Sequence, residues 1–121
     1  MSKPKVYIRE ASLLARLAAS KLKSARVAMV IRRTIHLWGV SAEDFLKDES
    51  WVCHELEHVG QYKRLGTVMF LWKYAGESIR KGYYNNALEV AARSAERNRA
   101  LLQQYAIQTP PAKLKNRLGK G

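Results

Sequence analysis

The stretch WVCHELEHVGQYKRLG constrains the fold of this chain most strongly, because its apolar residues recur at helical spacing. At about 100° per residue, Val52, Leu56 and Val59 share one face of a helix. His54 and His58 share the opposite face. The pattern therefore predicts a helix that buries its apolar face and turns both histidines toward a cleft.

Two imidazoles at positions i and i+4 of a helix can take two corners of a zinc tetrahedron. Glu55 directly follows the first histidine, in the H-E-x-x-H order. A carboxylate at that position can accept a proton from water activated by zinc and pass it to a leaving amine. The sequence thus predicts a Zn²⁺ cofactor, with His54 and His58 as ligands and Glu55 as the catalytic base.

A catalytic zinc usually has three protein ligands, so a third one is expected elsewhere in the chain. Glu89, just after a predicted turn, is the preferred candidate, although it could instead pair with Arg93 on an exposed face. Glu77 and Glu96 are alternative carboxylates. His36, in the predicted strand before the motif, is retained as an alternative ligand or supporting residue.

Three more polar residues are candidates for supporting or substrate-binding roles. Gln61 lies one turn beyond His58 and could orient a ligand or cap the cleft. Tyr83 and Tyr84 could offer a phenol to a developing oxyanion, or could simply pack. The metzincin extension would require Gly at position 61 and His at position 64, so Gln61 and Arg64 exclude that class.

The remaining segments predict a mostly helical α+β domain with one small strand element. The β-branched run 26–39 predicts one long strand or two short ones broken near Arg32 and Arg33, and Ser41 opens a short helix. Asp48 or Ser50 caps a second helix, which carries the histidine motif to about residue 64 and stops at Gly66. Helices are predicted over 10–23, over 67–81 in the centre of the domain, and over 87–105, with turns at Gly82 and at Asn85–Asn86. The aromatic residues expected in the core are Trp38, Trp51, Trp72, Phe70 and Tyr74.

The charge and cysteine content restrict the setting of the protein. The net charge of +12 divides into +8 over residues 1–33, zero over 34–107 and +4 over 108–121. This predicts a neutral central part between basic ends that could contact an acidic partner, with nucleic acid less favoured because no such motif is found. Cys53 is the single cysteine, so no internal disulfide forms. No signal peptide or membrane span is evident, and a cytoplasmic location is expected unless a dedicated system exports the protein.

Five short motifs follow one another in the order HELEHVGQ, YKRLG, FLWKY, GYYNN and LEVAAR. With these motifs in this order, the chain resembles small bacterial zincin-like domains of unknown function with an H-E-x-x-H-x-x-Q signature. Such domains also occur in injection-system and toxin-associated proteins. The resemblance covers about residues 26–96. It implies a minimal zincin-like fold, with a short strand element before the motif helix and a helix after it. It also implies Glu89 as third ligand and an unidentified peptide or protein substrate.

We therefore predict one zincin-like domain over residues 1–107, with its core at about 26–96, and a basic, flexible tail over 108–121. The favoured function is a zinc-dependent metallopeptidase or other hydrolase, in which the 26–38 strand aligns the substrate. One alternative is a catalytically inactive zincin-like binding module. The other is a basic binder of nucleic acid or an anionic surface, in which the histidine motif is incidental.

Overall fold

A computed structural model describes residues 2–110 and consists of a small four-stranded sheet and five helices. Helices account for 61% and strands for 17% of these residues, which confirms a mostly helical α+β fold. In chain order the elements are β1 (Lys5–Arg9), α1 (Leu13–Leu22), β2 (Val27–Ile31), β3 (Thr34–Trp38), α2 (Ala42–Lys47), α3 (Glu49–Leu65), α4 (Thr67–Asn85), α5 (Ala87–Ala95), a 3₁₀ turn (Arg99–Gln103) and β4 (Ala106–Gln108).

The sheet has the strand order β2-β3-β1-β4, so β2 forms one edge. β2 and β3 form an antiparallel hairpin that turns at Arg32 and Arg33, so the second of the two predicted alternatives, two short strands, is the correct one. β1 lies between β3 and β4 and runs parallel to both. The predicted strand element is therefore only half of the sheet.

β1 comes from the N-terminal segment that the charge pattern assigned to a basic flank. Its side chains alternate, with Val6 and Ile8 buried and the three residues around them exposed. Together with Leu101 and Tyr105 near the other end, these residues belong to the main hydrophobic core. The core thus extends beyond the predicted range of 26–96, because one face of β1 and the segment before β4 both pack into it.

Helix α3 is the centre of the packing and contacts α2, α4, α5 and β2. Val52, Leu56 and Val59 are almost completely buried, as their spacing predicted. A second cluster forms where Ala15 and Ala19 of α1 pack against Val27. Burial of each Val or Leu side chain contributes roughly 1.5–3 kcal/mol, so α3 is held mainly by its apolar face.

The ends of α2 and α3 lie where the capping residues predicted them. Ser41 Oγ accepts a hydrogen bond from the Asp44 N–H, and Asp48 Oδ1 accepts one from the Trp51 N–H. Gly66 ends α3 with a φ of 82°, a backbone conformation that favours glycine.

The predictions for the last two helices need correction. Helix α4 is not central: Trp72, expected in the core, is 78% exposed, because only the face with Phe70 and Glu77 is buried. Its backbone breaks at Gly82 (φ 81°), at the predicted turn. The final helix ends at Ala95 instead of residue 105, and the chain then turns to pair β4 with β1.

The segment predicted as a flexible tail begins inside the sheet. Gln108, its first residue, closes β4 and pairs with Tyr7. Residues 111–121 lie outside the described residues. Within residues 2–110, no helix combines the length and apolar character needed to cross a membrane.

Gly39 supplies a test of the turn after β3. Its φ is +78°, and a Cβ added there would lie 2.0 Å from the Ala25 carbonyl oxygen. We expect Gly39→Ala to lower the free energy of unfolding by at least about 2 kcal/mol in urea denaturation, from the left-handed backbone and the clash together. Gly76→Ala is the matched control: a Cβ there meets no atom within 4 Å, and the residue is helical. This change should raise stability by roughly 0.5–1 kcal/mol. Equal effects of the two changes would contradict this account.

Candidate metal centre

The histidine face of α3 is opposed by α5, which brings Glu89 to the motif. One ligand atom each from His54, His58 and Glu89 lies within 4.8 Å of the others. Glu89 is buried, as are His58 and Gln61. The structure therefore brings together the three residues predicted as zinc ligands.

The Glu89 carboxylate lies between the two imidazoles. His54 Nε2 is 3.0 Å from Glu89 Oε1, and His58 Nε2 is 3.3 Å from Glu89 Oε2. The same Nε2 atoms are the ones that a metal would use if the other ring nitrogens carried hydrogen atoms.

The tautomer of His58 is fixed by Gln61. Gln61 Nε2 donates a hydrogen bond to the Leu88 carbonyl oxygen at 3.0 Å, so its Oε1 must be the atom that faces His58 Nδ1 at 2.9 Å. An oxygen there accepts from Nδ1–H. The lone pair of a neutral His58 therefore lies on Nε2 and points toward Glu89.

His54 is held in the same way by a carboxylate. Its Nδ1 is 2.8 Å from Glu96 Oε2, which makes Nδ1–H the donor. Such hydrogen bonds from the outer ring nitrogen to a carboxylate or carbonyl oxygen are typical of metal-binding histidines. Glu96, weighed as a third ligand from the sequence, instead contacts the outer side of His54.

In the neutral rings, the Nε2 lone pairs of His54 and His58 both face the Glu89 carboxylate. They repel it unless a proton or a cation lies between them. Burial lowers the pKa of His54, but hydrogen bonds to Glu89 and Glu96 and the charge of Glu55 outweigh it and raise the pKa to about 9. His58 has a raised pKa for similar reasons, and burial is again opposed by Glu89 and Glu55. Burial also opposes ionisation of Glu89, but its hydrogen bonds with both histidines hold its pKa well below the usual range. Two nitrogens and one carboxylate oxygen converging in this way fit the donor set of zinc.

Glu55 is buried beside this cluster and lines the same cleft. Burial raises its pKa to about 7, even though the positive charges of His58 and His54 act in the opposite direction. A carboxyl group that titrates near neutral pH can both accept and return a proton.

The cleft in front of the cluster has a volume of about 350 Å³. One wall is the edge strand β2, all five residues of which line it. The other wall is formed by α3 and α4, including Tyr62, Phe70 and Leu71. Apart from the His54, His58, Glu55 and Glu89 cluster, the lining is mostly apolar.

The structure separates Tyr83 and Tyr84, which the sequence offered together as candidate phenol donors. Tyr83 lines the cleft, and burial followed by the charges of Glu89 and Glu55 raises its pKa to about 12. Tyr84 is not among the lining residues: it is 68% exposed, and the Arg93 guanidinium lies 3.8 Å from its ring centroid. Arg93 therefore pairs with Tyr84, and not with Glu89.

The side chains of Glu77 and His36, the other alternative ligands, form hydrogen bonds away from the cluster. Glu77 Oε1 accepts a hydrogen bond from the Ala87 N–H, which is the first cause of its lowered pKa. His36 Nδ1 is hydrogen bonded to Ser12 Oγ at 2.8 Å, and burial followed by the charge of Arg9 lowers its pKa. Neither residue lines the cleft.

Two residues of the site were missed by sequence reasoning. Tyr74, expected only to pack, donates a hydrogen bond from its hydroxyl to Glu89 Oε2 at 2.5 Å. Asn86 is fully buried, caps α5 through the Leu88 N–H and donates to the Tyr74 carbonyl oxygen. The capping preference of asparagine before the helix could have identified Asn86, but no sequence signal distinguishes Tyr74 from a packing residue.

Comparisons of the chain with protein-family models, with curated proteins and with solved structures gave no significant match. The resemblance to zincin-like domains therefore remains a prediction from the motifs.

The raised pKa of His54 predicts how stability changes with pH. Its folded-state value of about 9 exceeds the ordinary 6.5, so the protonated imidazole contributes stability that is complete below pH 6.5 and lost as pH rises through 9. We expect the thermal stability of the chelator-treated protein to fall over that range. In excess zinc the fall should disappear, because the metal binds the deprotonated rings. His54→Gln should reduce the fall and Glu57→Gln should not. A stability that stays level in chelator would contradict the proposed contacts.

Proposed function

We propose that this protein is a zinc-dependent hydrolase that cleaves peptide bonds. His54, His58 and Glu89 would hold the zinc ion, and Glu55 would act as the general base. The observation that carries the proposal is the convergence of both Nε2 atoms on the Glu89 carboxylate, with both Nδ1 atoms hydrogen bonded behind them.

The outer hydrogen bonds fit a metal site. Glu96 and Gln61 each accept a hydrogen bond from an Nδ1 atom, so that the Nε2 atom of each ring faces Glu89. These contacts would fix the ring orientations before the metal arrives. Bound zinc would supply Lewis-acid polarisation and would lower the pKa of a water molecule toward ~7.

Glu55 supports the hydrolytic step. Its carboxyl group is buried, has a pKa near neutrality and lines the cleft beside the histidines. It would accept a proton from the attacking water as the C–O bond forms. It would then donate that proton to the amine nitrogen, which leaves as the C–N bond breaks. Tyr83, protonated at neutral pH, would donate a hydrogen bond to the carbonyl oxygen of the substrate.

The edge strand β2 supports a peptide as the substrate. It pairs with β3 on one side, and no other strand of residues 2–110 pairs with its outer side. Its residues line the cleft that contains the cluster. An extended peptide could therefore add to this edge by main-chain hydrogen bonds and lie across from α3.

The first test is the metal content of the purified protein by plasma mass spectrometry. We expect close to one zinc ion per chain in the wild type, and loss of zinc in His54→Ala and in Glu89→Ala. Tyr84→Phe is the control, since Tyr84 lies away from the cleft and should leave the zinc content unchanged. A wild type that takes up no zinc even after reconstitution would overturn the proposal.

The second test separates catalysis from metal binding. Glu55→Gln should retain zinc but lower the cleavage rate of a peptide library about 10²–10⁴-fold, because the proton acceptor is removed. Glu57→Gln is the matched control: this residue lies two positions away on α3 and pairs with Arg64. If Glu55→Gln and Glu57→Gln behave alike while zinc is retained, the protein is a zinc-holding binding module instead of an enzyme.

A further inference from the structure

The solvent-facing side of α4 carries a row of large apolar residues. Val68 is 81%, Trp72 78% and Ile79 85% exposed, and Ala75 lies exposed between them. The spacing of i, i+4, i+7 and i+11 places all four along one line of the helix. We call these four residues the α4 stripe.

Neighbouring side chains widen the stripe. Met69 and Leu71, on its two sides, are 54% and 48% exposed. Single exposed apolar residues are common on protein surfaces, but a contiguous row that extends over three turns of a helix marks an interaction surface. The helix moreover keeps its buried face for the domain core, so the stripe is not required by the fold of the described residues.

The charges around the stripe indicate the sign of the partner. Lys73, Arg80 and Lys81 of α4 are all exposed. Glu77, the single acidic residue of this helix, is buried and paired with Arg80 and Lys81. A helix that carries an exposed apolar row, and whose exposed charged side chains are all cations, is complementary to an anionic, partly apolar surface.

A lipid surface fits the stripe better than a partner helix does. From Val68 to Ile79 the row spans fewer than two heptads, whereas a sequence pattern of three or four heptads indicates a coiled coil. Each of the three most exposed side chains leaves more than three quarters of its surface in solvent. Trp72 lies in the middle of the row, and tryptophan favours the boundary between headgroups and acyl chains.

The stripe also lies next to the cleft. Leu71, on its edge, lines the cleft together with Leu22 of α1, and both leucines are about half exposed. α1 has a similar composition, with exposed Leu13 and Leu17, exposed Arg16, and no acidic residue. The cleft mouth is thus bordered by apolar and cationic surface on both helices.

We propose that the α4 stripe docks this protein on membranes that contain anionic lipids, with Val68, Trp72 and Ile79 entering the interface and Lys73 contacting headgroups. Docking would bring the mouth of the cleft to the membrane surface. The inference depends on the exposed face of α4 and does not require a metal or catalysis.

Sedimentation of the full chain with vesicles tests this proposal. We expect binding to phosphatidylcholine vesicles that contain phosphatidylglycerol, and binding at least about tenfold weaker to phosphatidylcholine alone. Added salt and the variant Lys73→Glu should each weaken binding. Equal binding to both vesicle types, or no binding to either, would overturn the proposal, and the second result would favour an acidic protein partner.

Matched variants locate the contact. Val68→Ser combined with Ile79→Ser should weaken binding at least about tenfold, because two side chains no longer enter the apolar layer. Val90→Ser, on the 44% exposed Val90 of α5, is the control and should bind like the wild type. Both Val68 and Ile79 are too exposed for these changes to affect folding. If the double variant binds as tightly as Val90→Ser, the stripe is not the docking surface.

Fluorescence gives a second, independent measurement. Trp38 and Trp51 are partly buried and Trp72 is exposed, so a blue shift on vesicle addition would come from Trp72. Trp72→Phe should abolish the shift but retain most of the binding. Glu55→Gln should bind vesicles normally, so that failure of the proposed hydrolase activity and failure of membrane docking can be distinguished. A shift that persists in Trp72→Phe would contradict the proposed orientation.

Discussion

Helix α3 is buried on its polar face as well as its apolar one, and much of the structure around it follows from that constraint. A buried polar group needs a hydrogen-bond partner, and each unmade bond costs about 1–3 kcal/mol. Glu89, Glu96 and the Leu88 carbonyl oxygen supply those partners from α5 and the turn after it. Among the described residues, no buried side-chain nitrogen or oxygen lacks a partner. The position of α5 is thereby tied to the histidine face.

The resulting network has more acceptors than a neutral histidine pair can satisfy. His54 faces a carboxylate at each ring nitrogen, and His58 faces Glu89 and the Gln61 oxygen. The arrangement therefore needs protons or a cation, and the two compete for the same Nε2 atoms. This competition links the stability of the fold to the chemistry that we propose for the cleft. Tyr74 and Asn86 extend the network toward α4. The Tyr74 hydroxyl donates to Glu89, and Asn86 donates to the Tyr74 carbonyl oxygen.

Local signals predicted several elements well. The capping side chains of Ser41 and Asp48, Gly66, and the apolar spacing of α3 act within a few residues, so they are visible in the sequence. β1 was missed because it has only two buried residues, and the exposed stripe on α4 because its apolar residues also fit a core helix. Helical period indicates which residues share a face, but it does not indicate whether a neighbour covers that face.

The sequence by itself determined that His54, Glu55, His58 and Gln61 would lie together, because four neighbouring positions of one helix cannot separate. It also determined the α+β class and offered Glu89 as one carboxylate among several. Only the tertiary structure decided which of Glu77, Glu89, Glu96 and His36 lies against both Nε2 atoms, since this depends on how α5 crosses α3 and where the hairpin lies. The same long-range packing made an N-terminal strand the middle of the sheet and left the α4 stripe uncovered. Contacts between residues distant in the chain follow from the packing of whole elements, which no local pattern specifies.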